Sequence, residues 1–202
     1  MTHFLTFALP AAFVGAVVFA GAASVVIGDV NKDGKADLVV GNGTANNVAR
    51  LLNQGNGTFG AATTYATGTN PRFVGLADLN GDGQLDAVAS NFGTTTMGVL
   101  LNNGNGFAAQ TTFAVGGSPR GVAFADFDKD GVLDVATADN SGNRAAVFKG
   151  DGRGGLSAAI APAVGTDPRM VLAADWNGDG KPDLATPNDI GNNVTVLYNT
   201  SM

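Results

Sequence analysis

Four nine-residue stretches of this chain place oxygen-bearing side chains at the same offsets. They are Asp29-Val30-Asn31-Lys32-Asp33-Gly34-Lys35-Ala36-Asp37, Asp78-Leu79-Asn80-Gly81-Asp82-Gly83-Gln84-Leu85-Asp86, Asp126-Phe127-Asp128-Lys129-Asp130-Gly131-Val132-Leu133-Asp134 and Asp175-Trp176-Asn177-Gly178-Asp179-Gly180-Lys181-Pro182-Asp183. Counting each first Asp as position 1, oxygens at positions 1, 3 and 5 of a tight loop can converge on one point. Gly at position 6 suits a sharp turn, where φ is often positive. Position 7 (Lys35, Gln84, Val132, Lys181) can add its backbone carbonyl, and the Asp at position 9 can close the cage with another carboxylate. This is the first part of the calcium-loop logic of EF-hands. An EF-hand it is not: no Glu stands at position 12, and the flanks are apolar and strand-like rather than helical. Hard oxygen ligands with no Cys and no nearby His favour calcium over zinc or copper, and magnesium less, since it keeps several waters. The cofactor expected is calcium, about one ion per loop.

Composition points the same way. The chain has no Glu; all 17 of its acids are Asp, and 13 of them lie in the four loops. Ordinary surface acidity would mix Glu with Asp and scatter both. Asp-Gly stretches are also common as plain turns, but four copies in register are hard to explain that way. Net charge is −6 at pH 7, and no basic stripe is present, so nucleic acid is not an expected partner. Four calcium ions would bring the nominal charge to about +2. With no Cys there is no disulfide framework.

The loops need elements to hold them. First-Asp spacings of 49, 48 and 49 residues mark a repeat architecture. Each unit opens on a short apolar strand: Val25 to Ile27, Phe73 to Ala77, Gly121 to Ala125, Met170 to Ala174. Its small residues suggest a crowded strand, buried on both faces. After the loop comes a second strand (Leu38 to Val40, Ala87 to Ala89, Val135 to Thr137, Leu184 to Thr186). A polar turn leads to a third (Val48 to Leu52, Met97 to Leu101, Ala145 to Phe148, Val194 to Tyr198). Gly-rich hairpins follow at Asn53 to Gly57, Asn102 to Gly106 and Gly150 to Gly154, and fourth strands at Thr63 to Ala66 and Thr111 to Val115. Four short strands per unit is the grammar of a β-propeller blade. The fold expected is all-β: a propeller of four-stranded blades, about four repeats, either by itself or as part of a larger propeller. Position 2 (Val30, Leu79, Phe127, Trp176) is expected to pack between blades.

The D-x-[ND]-x-D-G-x-x-D motif, the strand after it and the Asn53 to Phe59 hairpin resemble FG-GAP/VCBS-type repeats. The likeness covers about residues 24–202, in units of about 24–71, 72–119, 120–168 and 169–202. It implies a calcium-binding propeller like those of integrin α chains and of many bacterial surface or secreted proteins. It also implies the ligands, by position. The side chains would be Asp29, Asn31, Asp33 and Asp37; Asp78, Asn80, Asp82 and Asp86; Asp126, Asp128, Asp130 and Asp134; and Asp175, Asn177, Asp179 and Asp183. The carbonyls would be those of Lys35, Gln84, Val132 and Lys181. The third loop departs from the rest in carrying Asp128 where they carry Asn.

Residues 1–23 are apolar, and no Asp, Glu, Lys or Arg occurs before Asp29. They read as a secretory signal with Ala20-Gly21-Ala22 as a cleavage site, as a membrane anchor, or as a strand of the fold. In that last reading residues 5–9 pair with Val194 to Tyr198 and complete the last blade. Pro71-Arg72, Pro119-Arg120 and Pro168-Arg169 each precede a first strand. Those arginines pair with acids of a neighbouring loop, cap a turn, or ring an anionic ligand at one end of the axis. His3 is the sole His, so no Ser/His/Asp set arises and no catalytic residue is assigned. The expected function is a non-enzymatic, calcium-binding binding or adhesion module, secreted or at the cell surface, with an extracellular protein or glycan as ligand. A membrane is a partner only if the N-terminal segment stays as an anchor. Alternatives are a lectin-like propeller and the non-catalytic part of a secreted hydrolase or lyase.

Overall fold

Residues 21–200 are described by the computed structural model, which is all-β, with no helix among those residues. Each repeat forms one antiparallel sheet. The first holds β1 (Ala22–Gly28), β2 (Asp37–Asn42), β3 (Asn47–Leu51) and β4 (Thr63–Ala66) in sequence order. The second repeats this with β5 (Pro71–Ala77), β6 (Asp86–Asn91), β7 (Thr96–Leu100) and β8 (Thr111–Ala114). The third holds β9 (Pro119–Ala125), β10 (Asp134–Asp139) and β11 (Arg144–Phe148), and its fourth segment makes only isolated bridges, Arg144 to Ala163 and Val147 to Ile160. The last is three-stranded: β12 (Leu172–Ala174), β13 (Asp183–Asn188) and β14 (Asn193–Leu197). The signal, anchor and closing-strand readings of the N-terminus rest on residues 1–20, which lie outside the described residues.

Apolar side chains between consecutive sheets form three separate cores, as blades stacked side by side require. Val30, Val39 and Val48 of the first blade meet Val74, Ala89, Leu100 and Phe107 of the second. Leu79, Val88 and Met97 meet Val122, Val135 and Phe148. Phe127, Ala136 and Ala145 meet Val171 and Leu184. The second and third blades approach closely enough that a Cβ on Gly75 would lie 2.7 Å from the Phe124 ring.

In the two middle blades the strand buried on both faces is the second, not the first. Every residue of β6 and of β10 is buried, whereas β1 alternates exposed and half-buried. The middle strands β6 and β10 have a strand on either side and a sheet over either face. The first strands lie at the edge of their sheets, in the order β1-β2 and β5-β6, where small residues leave room for a neighbouring blade. On β1, Val25 and Ile27 remain 61% and 66% exposed. Among the described residues the fan of blades does not close.

Candidate metal loops

Each nine-residue loop joins the first strand of a blade to the second, so its two ends are pinned by a strand pair. Gly28 faces Asp37, Ala77 faces Asp86, Ala125 faces Asp134 and Ala174 faces Asp183. Between those anchors the backbone turns twice through positive φ. Position 6 is Gly in all four loops, with φ between 79° and 87°. Position 4 also lies in this region, as Gly81 and Gly178 in two loops and as Lys32 (φ 59°) and Lys129 (φ 62°) in the others.

The turn aims backbone N–H groups at the loop's own side chains. The position-1 carboxylates accept from the N–H of position 6: Gly34 to Asp29 at 2.8 Å, Gly83 to Asp78 at 2.7 Å, Gly131 to Asp126 at 2.8 Å, Gly180 to Asp175 at 2.8 Å. Position 3 accepts from the N–H of position 5, at Asn31, Asn80, Asp128 and Asn177. Position 5 accepts from the N–H of position 7, so Lys35, Gln84, Val132 and Lys181 donate to Asp33, Asp82, Asp130 and Asp179 at 2.8–2.9 Å. These bonds hold the side-chain oxygens of the rim in place.

Position 9 has a different setting. Asp37, Asp86, Asp134 and Asp183 are at most 2% exposed. One oxygen of each accepts the N–H of position 2, namely Val30, Leu79, Phe127 or Trp176, at 2.9–3.1 Å. The other accepts an N–H from the end of the third strand, at Asn53, Asn102, Gly150 or Asn199, at 2.8–2.9 Å. Burial raises the Asp86 and Asp134 carboxyls above their usual range, against the pull of those N–H bonds. The charges at Asp82 and Asp78 push Asp86 further the same way, as Asp128 and Asp130 do for Asp134.

Three carboxylates converge in the third loop. Oxygens of Asp126, Asp128 and Asp130 lie within 4.8 Å of one another, the only such acidic trio among the described residues. A hard divalent cation suits that set. In the other loops position 3 is Asn, whose amide oxygen takes the place of one carboxylate. Loops two and four also use that Asn as a donor: Asn80 and Asn177 give N–H bonds to Asp82 and Asp179 at 3.0 and 3.1 Å.

Lysines answer the extra charge. Lys149, just past β11, pairs with both Asp128 and Asp130. Its hydrogen bond lowers the Asp130 carboxyl, and the two acids raise Lys149 well above its usual range. Lys35 pairs with Asp33 at 3.0 Å and lowers it. Lys149 was not among the residues singled out from sequence, though a signal exists. Its counterparts Leu52, Leu101 and Tyr198 are apolar or aromatic, and the unit that adds an acid at position 3 is the unit that adds this base.

A second residue type was also passed over. The Asn102 side chain donates to Val30 O at 2.8 Å and to Leu85 O at 3.1 Å, tying the second blade's hairpin to the first blade's loop. Asn199 repeats this with Phe127 O and Pro182 O, at 2.7 and 3.1 Å. Position 2 is packed under the following blade: Val30, Leu79 and Phe127 are 1%, 3% and 9% exposed, whereas Trp176 is 45% exposed.

A family model described as FG-GAP-like repeat matches residues 29–89, 78–137 and 130–186. Curated proteins give no match. Among solved structures, similarity extends to a Tc holotoxin pore of Photorhabdus luminescens (22% identity, TM-score 0.51, 80% of this chain and 8% of that one). It extends also to an Agrocybe aegerita lectin described as recognising non-reducing terminal N-acetylglucosamine (21%, 0.51, 86% and 51%). A third is the virginiamycin B lyase of Staphylococcus aureus (16%, 0.54, 88% and 55%). This chain spans about half or less of the length of each. At such identities the likeness is one of fold.

Proposed function

Because the chain belongs to the FG-GAP-like repeat family, we propose that it is a non-enzymatic binding or adhesion module whose blade loops hold structural calcium. The observation that carries the metal is the Asp126, Asp128 and Asp130 trio, three carboxylate oxygens within 4.8 Å. Positions 1, 3 and 5 would supply side-chain oxygens in every loop, and position 7 its carbonyl. The buried position-9 Asp would add charge from beneath. Bound calcium would neutralise the mutual repulsion of the rim and hold the first and second strands of each blade at a constant spacing. Affinity is expected to be modest, on the order of 10⁻⁴ to 10⁻³ M, as for extracellular calcium modules. Its setting would be secreted or at the cell surface, with an extracellular protein or glycan as ligand.

Melting curves of the full chain with millimolar calcium and with excess chelator test the reading. Calcium should raise the melting temperature, by mass action on the folded state. Coincident curves would sink structural metal. A sugar-binding role is the second reading. Its support is the likeness in fold to the Agrocybe aegerita lectin, and Trp176 would offer a flat ring to a sugar. Binding on a glycan array that is lost in Trp176→Ala would favour it.

A further inference from the structure

The three Pro-Arg pairs come together at the end of the blades away from the metal loops. Pro71 and Pro119 open β5 and β9, and Pro168 bridges to Asn188 of the last blade. Each Arg is therefore at an equivalent place in its blade, about 20 Å along the first strand from the acidic loop that follows. Arg72, Arg120 and Arg169 line one cavity of about 190 Å³ together with Ala23, Phe73 and Gly121. The first unit contributes Ala23 where the others contribute Arg, so among the described residues that side of the cavity has no long side chain.

The arginines are not equally matched. Arg169 is paired, with Asp167 at 2.8 Å and Asp189 at 2.6 Å. Neither Arg72 nor Arg120 has an ion pair among the described residues. Both instead lie over the Phe92 ring, their guanidinium carbons 5.2 and 4.9 Å from its centroid. An aromatic face attracts a cation but leaves its N–H donors unused. The Nε of Arg120 is buried and has no hydrogen-bond partner. Burial, then the nearby positive charges of Arg169 and Arg72, push Arg120 below the usual arginine range, with Asp167 and Asp189 opposing. The cavity thus gathers three guanidinium groups, two of them without an acidic partner among the described residues, and a planar guanidinium fork suits two-oxygen acceptors.

We propose that this arginine-lined cavity binds an oxyanion, a carboxylate or sulfate group carried by an acidic ligand. Arg120 and Arg72 donate to it from the Phe92 platform, while Arg169, held by its two Asp partners, forms the far wall. An acidic saccharide or an acidic peptide can carry such a group. The inference deepens the binding-module reading by naming the chemistry of a ligand, but it does not depend on calcium.

Isothermal titration of sodium sulfate and of sodium glucuronate into the full chain tests it, in calcium buffer at ionic strength held constant with chloride. Saturable binding of at least one is expected, and the tighter of the two identifies the group. Arg72→Gln and Arg120→Gln should each weaken it at least tenfold. Arg153→Gln, on the exposed hairpin after β11, should leave it unchanged. Arg72 is exposed, so its variant carries the test even if Arg120→Gln does not fold. No saturable binding of either anion, or equal binding by Arg72→Gln and the unaltered chain, overturns the proposal. Repeating the titration on calcium-free protein below its melting temperature separates the two ideas. Anion binding kept without any calcium effect on melting removes the metal reading alone. A calcium effect without anion binding removes this one alone.

Discussion

Within one loop, two carboxylates four residues apart belong to different regions of the molecule. Asp82 stands on the exposed rim, where it accepts from Gln84 N–H and Asn80. Asp86 lies on the floor, fully buried, with one oxygen on Leu79 N–H and the other on Asn102 N–H. The rim oxygens are organised by the loop itself, whereas the floor carboxylate joins the loop to the third strand of its blade. A repeated motif can therefore serve two ends at once, an oxygen-lined rim above and a strand anchor below. Spacing alone does not separate them.

The sharpest way to break this contrast is to remove each acid in turn. Asp86→Ala strands two buried N–H groups and should cost about 2–5 kcal/mol in chemical denaturation. Asp82→Ala should cost under about 1 kcal/mol without calcium while lowering the calcium stoichiometry by about one. Comparable losses of stability would erase the distinction between floor and rim. The contrast reappears at position 2. Leu79→Ala should cost about 2–5 kcal/mol, and Trp176→Ala, with half its surface already in water, under about 1.5 kcal/mol. Equal costs would show that the Trp176 indole is packed in solution.

Smaller effects sharpen the comparison between loops. Asn102→Ala removes a bond between blades and should lower stability by about 1–2 kcal/mol. Asn53→Ala, which loses the bond to Ala36 O within its own blade, should cost less. Lys149→Met frees Asp128 and Asp130 from a tethered cation. Exposed pairs of this kind are weak, so calcium affinity at the third loop should rise only severalfold. An unchanged or weaker third site in a calcium titration would show that Lys149 supports the loop rather than competing for it.

Most of the blade plan was legible because it is local and periodic. The loops, the order of strands and the packing of Val30, Leu79 and Phe127 all follow from residue type at a constant offset. What escaped the sequence depends on which blade lies beside which. The burial of β6 and β10, in place of the first strands, comes from their central place in the sheet and from stacking on both sides. The arginines show the same limit. Arg169 does pair with acids, but with Asp167 two residues away and Asp189 of its own blade rather than with those of a neighbouring loop. Arg72 and Arg120 rest on Phe92, a ring that no motif marks because it occurs in a single unit. Lys149 and Asn199 were visible only by reading the repeats in columns, where one departs from its neighbours and the other matches them.

The side-chain bonds from Asn102 and Asn199 reach back 72 residues to the preceding blade. On a ribosome adding about 5–20 residues per second, such a partner arrives roughly 4–14 s after the loop it fastens. During that interval the Val30 carbonyl and the apolar face beside it have no cover. A nascent blade is thus a waiting intermediate, completed by its successor. Synthesis that stalls between the Val30 and Asn102 codons would expose that face for as long as the pause lasts.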